Sequence, residues 1–162
     1  MYISANRLLA AGGTLAADET LTFHGGAETD GLFIVYGGAG ADDVTGGAGN
    51  DVIFGEGGAD LLRGGAGNDT FAYLGASDST ASTMDQILDF ASGDVINLHP
   101  GNGGSFNFIG SAEFTHTPAQ LRAYEESPGH WRVEGDLYGD GVADLVIAVT
   151  SDHALTSADF VL

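Results

Sequence analysis

The sequence has no cysteine and almost no basic residues, and these two absences exclude several kinds of protein. Without cysteine, neither a disulfide bond nor a thiolate zinc site can form. The 162 residues include 4 Lys and Arg against 23 Asp and Glu, for a formal net charge of −19. Ordinary binding to nucleic acid or to an anionic membrane needs a basic surface, so both are excluded. So much like charge opposes a compact state unless counter-ions bind, and we expect metal ions to replace disulfides as the stabilising cross-links.

Signals for membrane insertion and for catalysis are also missing. No apolar run approaches the ~20 residues of a membrane span, and Gly12-Gly13-Thr14 interrupts the apolar part of residues 1–17, so no cleavable signal peptide is predicted. A zinc protease motif H-E-x-x-H is absent, as are G-x-S-x-G and a phosphate-binding P-loop. We therefore expect that the chain is not an enzyme and that its histidines are surface or loop residues: His24, His99, His116, His130 and His153.

Glycine, by contrast, is abundant, at 27 of 162 residues, and part of it follows a nine-residue period. The pattern G-G-x-G-x-D-x-U-x, with U a large apolar residue, occurs four times, at 37–45, 46–54, 55–63 and 64–72. Each glycine-rich half suits a sharp turn and each apolar-centred half a short strand. Two nonamers would make one coil of eighteen residues, with the four U residues between two stacked sheets: Val44, Ile53, Leu62 and Phe71. A flexible Gly-Ala-Asp linker would not keep an apolar residue at every ninth position. The third copy is the weakest, because Glu56 replaces its second glycine.

The same period predicts where the aspartates lie. Asp42 and Asp60 are eighteen residues apart and should stack on one edge of the coil, while Asp51 and Asp69 should stack on the other. Carboxylates one coil apart, at about 5 Å, repel unless a cation lies between them. Calcium takes six to eight oxygens at about 2.3–2.6 Å, which carboxylates and turn carbonyls can supply, whereas magnesium demands a more rigid octahedron.

The flanking segments are less regular. Residues 15–36 contain Gly25-Gly26-Ala27-Glu28-Thr29-Asp30, a half-repeat that is either a cap on the first coil, the favoured interpretation, or a partial site using Asp30. Asp78 is eighteen residues beyond Asp60 and should close that edge. Short strands are predicted near Ile87 and Ile96. One or two of the nearby carboxylates could cap a last calcium ion, but each taken singly is expected to be a solvated turn residue: Asp85, Asp89 and Asp94.

The C-terminal part is predicted to be rich in β-structure. Strands are expected around Phe106–Ile109, His130–Glu134 and Asp144–Val149. Either a helical turn begins at Thr117 and covers 117–122, or residues 121–125 form a strand. The Asp136–Asp144 segment half resembles a calcium loop, but Tyr138 occupies a ligand position, so a hairpin with Asp140-Gly141 at its tip is favoured.

The nonamers resemble the calcium-binding parallel β-roll of RTX proteins. From Asp69-Thr70-Phe71, through Asp85-Gln86-Ile87-Leu88-Asp89-Phe90, to Asp159-Phe160-Val161-Leu162, the chain also resembles the C-terminal region of serralysin-type secreted metalloproteases, without their catalytic domain. The resemblance implies an all-β fold with an N-terminal cap or degenerate repeat at 1–36, the RTX β-roll at 37–80, and a β-rich C-terminal cap at 81–162. It further implies an uncleaved C-terminal signal for a type I (ABC) exporter, secretion from the cell, and several Ca²⁺ ions.

In RTX rolls the ions are held by aspartate carboxylates and turn carbonyls of adjacent coils, and the resemblance carries these roles to matching positions here. The implied metal-binding residues are Gly37, Ala39, Ala41, Asp42, Gly46, Ala48, Asn50, Asp51, Gly55, Gly57, Ala59, Asp60, Gly64, Ala66, Asn68, Asp69 and Asp78.

Three functions are compatible with this sequence. The first is a module that folds on binding calcium and supports type I secretion. The second is a module that binds acidic polysaccharides beside a carbohydrate-active enzyme, with Trp131, Tyr124 and Tyr138 as a sugar platform, although Trp131 could equally belong to the core. The third is a calcium-dependent structural module of a surface layer or adhesin.

Overall fold

The computed structural model describes residues 2–4, 19–27, 29, 31–101 and 104–162. The signal-peptide prediction for 1–17 and the partial site at Asp30 lie largely or wholly outside these residues. The described part contains fourteen strands: β1 (Tyr2–Ser4), β2 (Thr22–His24), β3 (Ile34–Gly38), β4 (Asp43–Gly47), β5 (Val52–Glu56), β6 (Leu61–Gly65), β7 (Thr70–Tyr73), β8 (Asp85–Phe90), β9 (Val95–Leu98), β10 (Asn107–Phe108), β11 (Gln120–Ser127), β12 (His130–Asp136), β13 (Leu145–Ser151) and β14 (Phe160–Val161). Short 3-10 turns lie at Ala76–Asp78 and Ser157–Asp159, and no described helix is long and apolar enough to cross a membrane.

The strands form two sheets of a parallel β-roll, as the nonamers predict. One sheet has six strands, ordered β1-β3-β5-β7-β9-β14, and the other has eight, ordered β10-β11-β12-β13-β8-β6-β4-β2. From β1 to β9 successive strands alternate between the two sheets. Within the nonamers each strand pairs in parallel with the strand eighteen residues on, as Val44 does with Leu62 and Ile53 with Phe71. The predicted eighteen-residue coil is confirmed.

The space between the sheets is filled by the apolar residue of each nonamer. Val44, Ile53, Leu62 and Phe71 all have no exposed surface. Ile87 and Ile96, from the predicted strands after the repeats, continue this core without exposure. Burying a side chain of this size stabilises the fold by about 1.5–3 kcal/mol, so the repeats carry their own core.

Apolar residues close the first coil. Leu21 and Phe33 stand one coil before Asp42 and Asp51 and donate their backbone N–H groups to those carboxylates. Both are buried, and the Phe33 ring meets Phe23 edge-on, with centroids 5.1 Å apart. Phe33 therefore takes the position one coil before Asp51, and within the described residues the two aspartate columns begin at Asp42 and Asp51.

The C-terminal half extends the same sheets. β11, β12 and β13 form an antiparallel meander that joins β8 in parallel, and β14 pairs with β9. Because β11 covers Gln120–Ser127, the strand alternative for 121–125 is confirmed and the helical turn at 117–122 is wrong. The predicted hairpin between β12 and β13 is also confirmed, because Asp136 accepts hydrogen bonds from Gly139 and Gly141 within the connecting loop.

Candidate metal centre

The turns between the two sheets form two edges of the roll. Edge A comprises the turns at 39–42, 57–60 and 74–84, each of which leads into the eight-stranded sheet. Edge B comprises the turns at 48–51, 66–69 and 91–94, which lead into the six-stranded sheet. The predicted pairs, Asp42 with Asp60 and Asp51 with Asp69, lie on edges A and B respectively.

Each edge carries a column of buried aspartates joined by backbone hydrogen bonds. On edge A the N–H of Asp42 donates to Asp60 Oδ1 at 2.9 Å, and the N–H of Asp60 donates to Asp85 Oδ1 at 3.0 Å. On edge B the N–H of Asp51 donates to Asp69 Oδ1 at 2.8 Å, and that of Asp69 donates to Asp94 Oδ1, also at 2.8 Å. One oxygen of each carboxylate thus fixes the side chain against the preceding coil.

The other carboxylate oxygen is buried without a hydrogen-bond partner in five of these six residues: Asp42, Asp51, Asp60, Asp69 and Asp85. Each of the five is at most 2 % exposed. A buried charge without a partner is strongly unfavourable, so the columns need a ligand that supplies positive charge. Asp94 differs, because its Oδ2 accepts a hydrogen bond from the N–H of Ala91.

Glycine leaves space for that ligand at the first position of each nonamer. A Cβ atom on Gly37 would collide with Asp42 Oδ2 and lie 2.6 Å from the carbonyl oxygen of Gly55 in the next coil. A Cβ on Gly46 would meet the equivalent pair, Asp51 Oδ2 and the Gly64 carbonyl. Carboxylate and carbonyl oxygens are the donors that calcium prefers, so the residues present fit this ion.

The remaining oxygen ligands of each ion could come from the turn carbonyls that the sequence analysis predicts. Among the described residues, no backbone N–H in a turn or loop donates a hydrogen bond to these turn carbonyls: Ala39, Ala41, Ala48, Asn50, Gly57, Ala59, Ala66 and Asn68. No group of three or more His, Asp or Glu side chains converges on a metal-sized space in the described part of the chain. Calcium here would therefore depend on carbonyls, with few carboxylates for each ion.

Burial makes these carboxyl groups weak acids in the absence of metal. It raises the pKa of Asp42 and that of Asp69 to about 6, and it raises the pKa of Asp51 as well. Asp60 and Asp85 are fully buried, and desolvation raises the pKa of each. Repulsion by Asp85 adds to the rise at Asp60, and repulsion by Asp78 adds to the rise at Asp85. Neutral carboxyl groups are the alternative to bound cations in this interior.

The prediction that Asp78 continues the Asp42–Asp60 column is wrong. Asp85 takes that place through a step of 25 residues, since the 74–84 turn is seven residues longer than a regular one. Asp78 Oδ2 instead accepts hydrogen bonds from the N–H groups of Leu74 and Gly75 at the start of this turn. Asp78 still belongs to edge A, because it lies in the 74–84 turn.

The expectation that Asp85 and Asp94 are solvated turn residues is wrong, because both are buried and each ends a column. The signal that identifies them is the triplet Asp-x-U. It occurs in every nonamer and again as Asp85-Gln86-Ile87 and Asp94-Val95-Ile96. Asp89 accepts hydrogen bonds from the N–H groups of Gly64 and Gly65 on edge B.

The proposed aromatic platform does not form. Tyr124 donates a hydrogen bond to Glu134 on the outer side of the eight-stranded sheet, whereas Trp131 packs against the core. Tyr138, 72 % exposed, lies in the 137–144 loop beside Pro100. The core alternative for Trp131 is the correct one.

Comparison with known proteins agrees with this geometry. Residues 36–71 match the family model of the RTX calcium-binding nonapeptide repeat (4 copies). No curated protein sequence matches the chain. Among solved structures, the fold is similar to the solution structure of the AlgE6R3 subunit from the Azotobacter vinelandii mannuronan C5-epimerase. The TM-score is 0.62 at 25 % sequence identity, over 91 % of this chain and 80 % of that one. Residues 36–71 are therefore RTX calcium-binding nonapeptide repeats, and the chain that contains them folds as a β-roll.

Proposed function

We propose that this calcium-binding β-roll folds when calcium binds and that its folding outside the cell completes export through a type I (ABC) exporter. The observation that carries the proposal is the set of five buried carboxylate oxygens without partners. Where calcium is scarce these groups repel or must be protonated, which favours the unfolded chain. Extracellular modules bind calcium at about 10⁻⁴–10⁻³ M, and binding energy becomes folding energy when no site exists in the unfolded state.

The secretion part of the proposal rests on the resemblance of residues 159–162 to an export signal. Asp159 caps the last 3-10 turn by accepting hydrogen bonds from the N–H and hydroxyl of Thr156. Phe160 is buried, and β14 pairs with β9. The segment that resembles an export signal, 159–162, is thus largely built into the folded protein, so an exporter would have access to it before folding.

We also propose that the chain has no catalytic activity of its own. Among the described residues, Ser151, His153 and Asp159 form an arrangement that is similar to a catalytic triad. However, His153 Nδ1 lies 2.6 Å from Asp152 Oδ1, and Nε2 lies 3.2 Å from Asp159 Oδ1. Both ring nitrogens face carboxylates, which raise the histidine's pKa. Ser151 Oγ also lies 3.2 Å from Nδ1, but the nearer Asp152 carboxylate competes for that nitrogen, which makes it a poor acceptor of the serine's proton.

Two measurements test this function. Far-UV circular dichroism should show a chain with little structure in EDTA that gains β-structure in millimolar calcium. In cells that carry a type I exporter, removing residues 159–162 should abolish secretion of the chain, while exchange of the exposed Tyr138 for Ser should not. Secretion that persists without 159–162 contradicts the exporter proposal, even if calcium still folds the chain.

A second candidate is binding to acidic polysaccharides, which the similarity to an epimerase subunit favours. The described arginines lie on one sheet, but each is paired with a carboxylate: Arg63 with Asp43, Arg122 with Glu113 and Glu134, and Arg132 with Glu126. An acidic glycan would have to displace these partners or bind through calcium. Calorimetric titration with acidic oligosaccharides, with and without calcium, tests this candidate; absence of heat under both conditions contradicts it.

A further inference from the structure

The segment after β13 is joined to the rest of the roll by one histidine. His153 lies two residues beyond Ser151, the end of β13, and its ring stacks on the Phe90 ring of β8, with centroids 5.8 Å apart. Its Nδ1 lies 2.6 Å from Asp152 Oδ1, and its Nε2 lies 3.2 Å from Oδ1 of Asp159 in the last 3-10 turn. His153 therefore connects the eight-stranded sheet to the turn that precedes β14.

Asp159 anchors this C-terminal strand. It directly precedes β14, whose Phe160 belongs to the buried core and pairs with Ile96 of β9. Asp159 Oδ2 accepts hydrogen bonds from the N–H and hydroxyl of Thr156. Among the described residues, His153 is the partner of the other oxygen, and the Asp159 side chain is only 12 % exposed. Loss of the histidine contact would leave a poorly solvated carboxylate oxygen without a partner, which weakens the attachment of β14.

The two carboxylate contacts need a proton on both ring nitrogens. A neutral imidazole has one N–H donor and one acceptor nitrogen, whereas the imidazolium has two donors, and an ionised carboxylate can only accept. The Nδ1 contact with Asp152 is the shorter one, so the single proton of a neutral ring stays on Nδ1. Nε2 would then present its lone pair to Asp159 Oδ1, and this contact would become repulsive.

The charged groups that the structure places around this ring are all carboxylates. Asp152 and Asp159 face its two nitrogens, and Glu125 of β11 lines the same cleft. Asp89 at the end of β8 and Asp94 in the turn after it approach Asp152 rather than the ring. Asp152 first, and then Asp159, raise the pKa of the histidine above its ordinary value of 6.5, against the opposite effect of burial.

We propose that protonated His153 is a pH-sensitive latch, which holds the last 3-10 turn and β14 against the roll and releases them when the ring loses its proton. The inference goes beyond the proposed function, because it concerns the folded, calcium-bound chain. A histidine whose pKa is raised by folding contributes stability that is fully present below about pH 6.5 and is lost as the pH rises through the folded pKa. Residues 159–162, which resemble an export signal, would then be accessible on the folded chain only at alkaline pH.

Hydrogen exchange of the full chain in saturating calcium measures the latch. The protection of β14 amides, relative to that of 52–71 at the same pH, should fall about tenfold from pH 6 to pH 9 in the wild type. His153→Phe keeps a ring against Phe90 and removes both donors, so its β14 protection should be low at both pH values. His130→Phe is the matched control, because His130 Nδ1 faces the Thr150 hydroxyl and not a carboxylate. It should leave the pH dependence unchanged.

A further variant, Asp152→Ala, separates the latch from a general effect of charge. Without this carboxylate a neutral ring can keep its proton on Nε2 and donate to Asp159, while Nδ1 accepts from Ser151 Oγ, which lies 3.2 Å away. Asp152→Ala should therefore retain its β14 protection at pH 9. Wild-type protection that does not change with pH, or His153→Phe and Asp152→Ala variants that both behave like the wild type, would overturn the latch. Failure of 52–71 to become protected in calcium would instead contradict the proposed function, so the two failures are distinguished.

Discussion

Edges A and B begin alike but end differently. Both columns start from an apolar residue that donates its N–H group to the first aspartate. On edge B the last aspartate, Asp94, has hydrogen bonds to both oxygens, and the Asn50 side chain accepts a hydrogen bond from the N–H of Asn68. On edge A the last aspartate, Asp85, keeps a buried oxygen without a partner.

The difference shows how two edges built from the same repeat can depend on bound ions to different extents. At its C-terminal end edge B is closed by protein groups. At its C-terminal end edge A brings together Asp60, Asp85 and the buried Tyr73. Burial raises the pKa of the Tyr73 hydroxyl, and the two carboxylates raise it further. Edge A should therefore respond more strongly to calcium and to pH than edge B.

The largest effect is expected from Asp60→Ala on edge A, and Asp69→Ala is the corresponding substitution on edge B. Asp60 lies in the middle of the edge A column. Its carboxylate accepts a hydrogen bond from the backbone N–H of Asp42, and its own backbone N–H donates one to the Asp85 carboxylate. Its loss should raise the calcium concentration at the folding midpoint more than any other single aspartate change. A protein that binds calcium at 100 times its Kd gains about 2.7 kcal/mol per site, which is the scale of the loss. Calcium titrations followed by circular dichroism measure it, and an unaltered midpoint for Asp60→Ala would contradict the account.

Next in size are alanine substitutions of the glycines that line the calcium space. Gly37→Ala on edge A and Gly46→Ala on edge B place a methyl group against the carboxylate and the next carbonyl. Each should weaken calcium binding and destabilise the calcium-bound fold by about 1–3 kcal/mol through overpacking. Gly26→Ala is the control, because a Cβ there meets nothing within 4 Å. The two edges are compared by urea denaturation in calcium, and equal stability of all three variants would show that this space is not needed.

The column ends should respond in opposite ways to removal of charge. Asp85→Asn should weaken calcium binding but stabilise the calcium-free fold, because it removes an unpaired buried charge. Asp94→Asn should leave calcium binding unchanged and cost about 1–3 kcal/mol, since its amide group cannot replace the oxygen that accepts from Ala91. Calorimetry together with urea denaturation in EDTA checks both. Matching behaviour of the two variants would remove the distinction between the edges.

A smaller effect is expected from pH. The folded pKa values of the column aspartates are raised above those of the unfolded chain, to about 6 for Asp42 and Asp69. Their contribution to calcium-free stability is therefore fully present below about pH 4 and is lost as the pH rises through 6. Calcium binding should show the opposite trend, because protons compete with the ion. Denaturation in EDTA and calcium titrations at pH 5 and pH 8 measure the two trends, and parallel pH dependences would contradict them.

The regular part of the roll could be predicted because the same residue types recur there at every ninth position. The spacing of Val44, Ile53, Leu62 and Phe71 alone identifies the strands, the core and both edges, since each coil has the same length. Asp42, Asp51, Asp60 and Asp69 follow from the same count.

The continuation of the columns could not be predicted by counting. The 74–84 turn inserts seven residues, so that Asp85 and not Asp78 follows Asp60. Nothing in a fixed period reports the length of an irregular turn. The sequence also did not predict which way the aromatic side chains point. Tyr124 and Trp131 lie on adjacent strands but on opposite faces of the sheet.

The most direct test is the stability of the purified chain before and after complete removal of divalent metal. The account predicts that in EDTA at pH 8 the β-structure seen by circular dichroism and the protection of amides in 52–71 are lost, and that millimolar calcium, but not magnesium, restores both. Full amide protection after exhaustive chelation would contradict it.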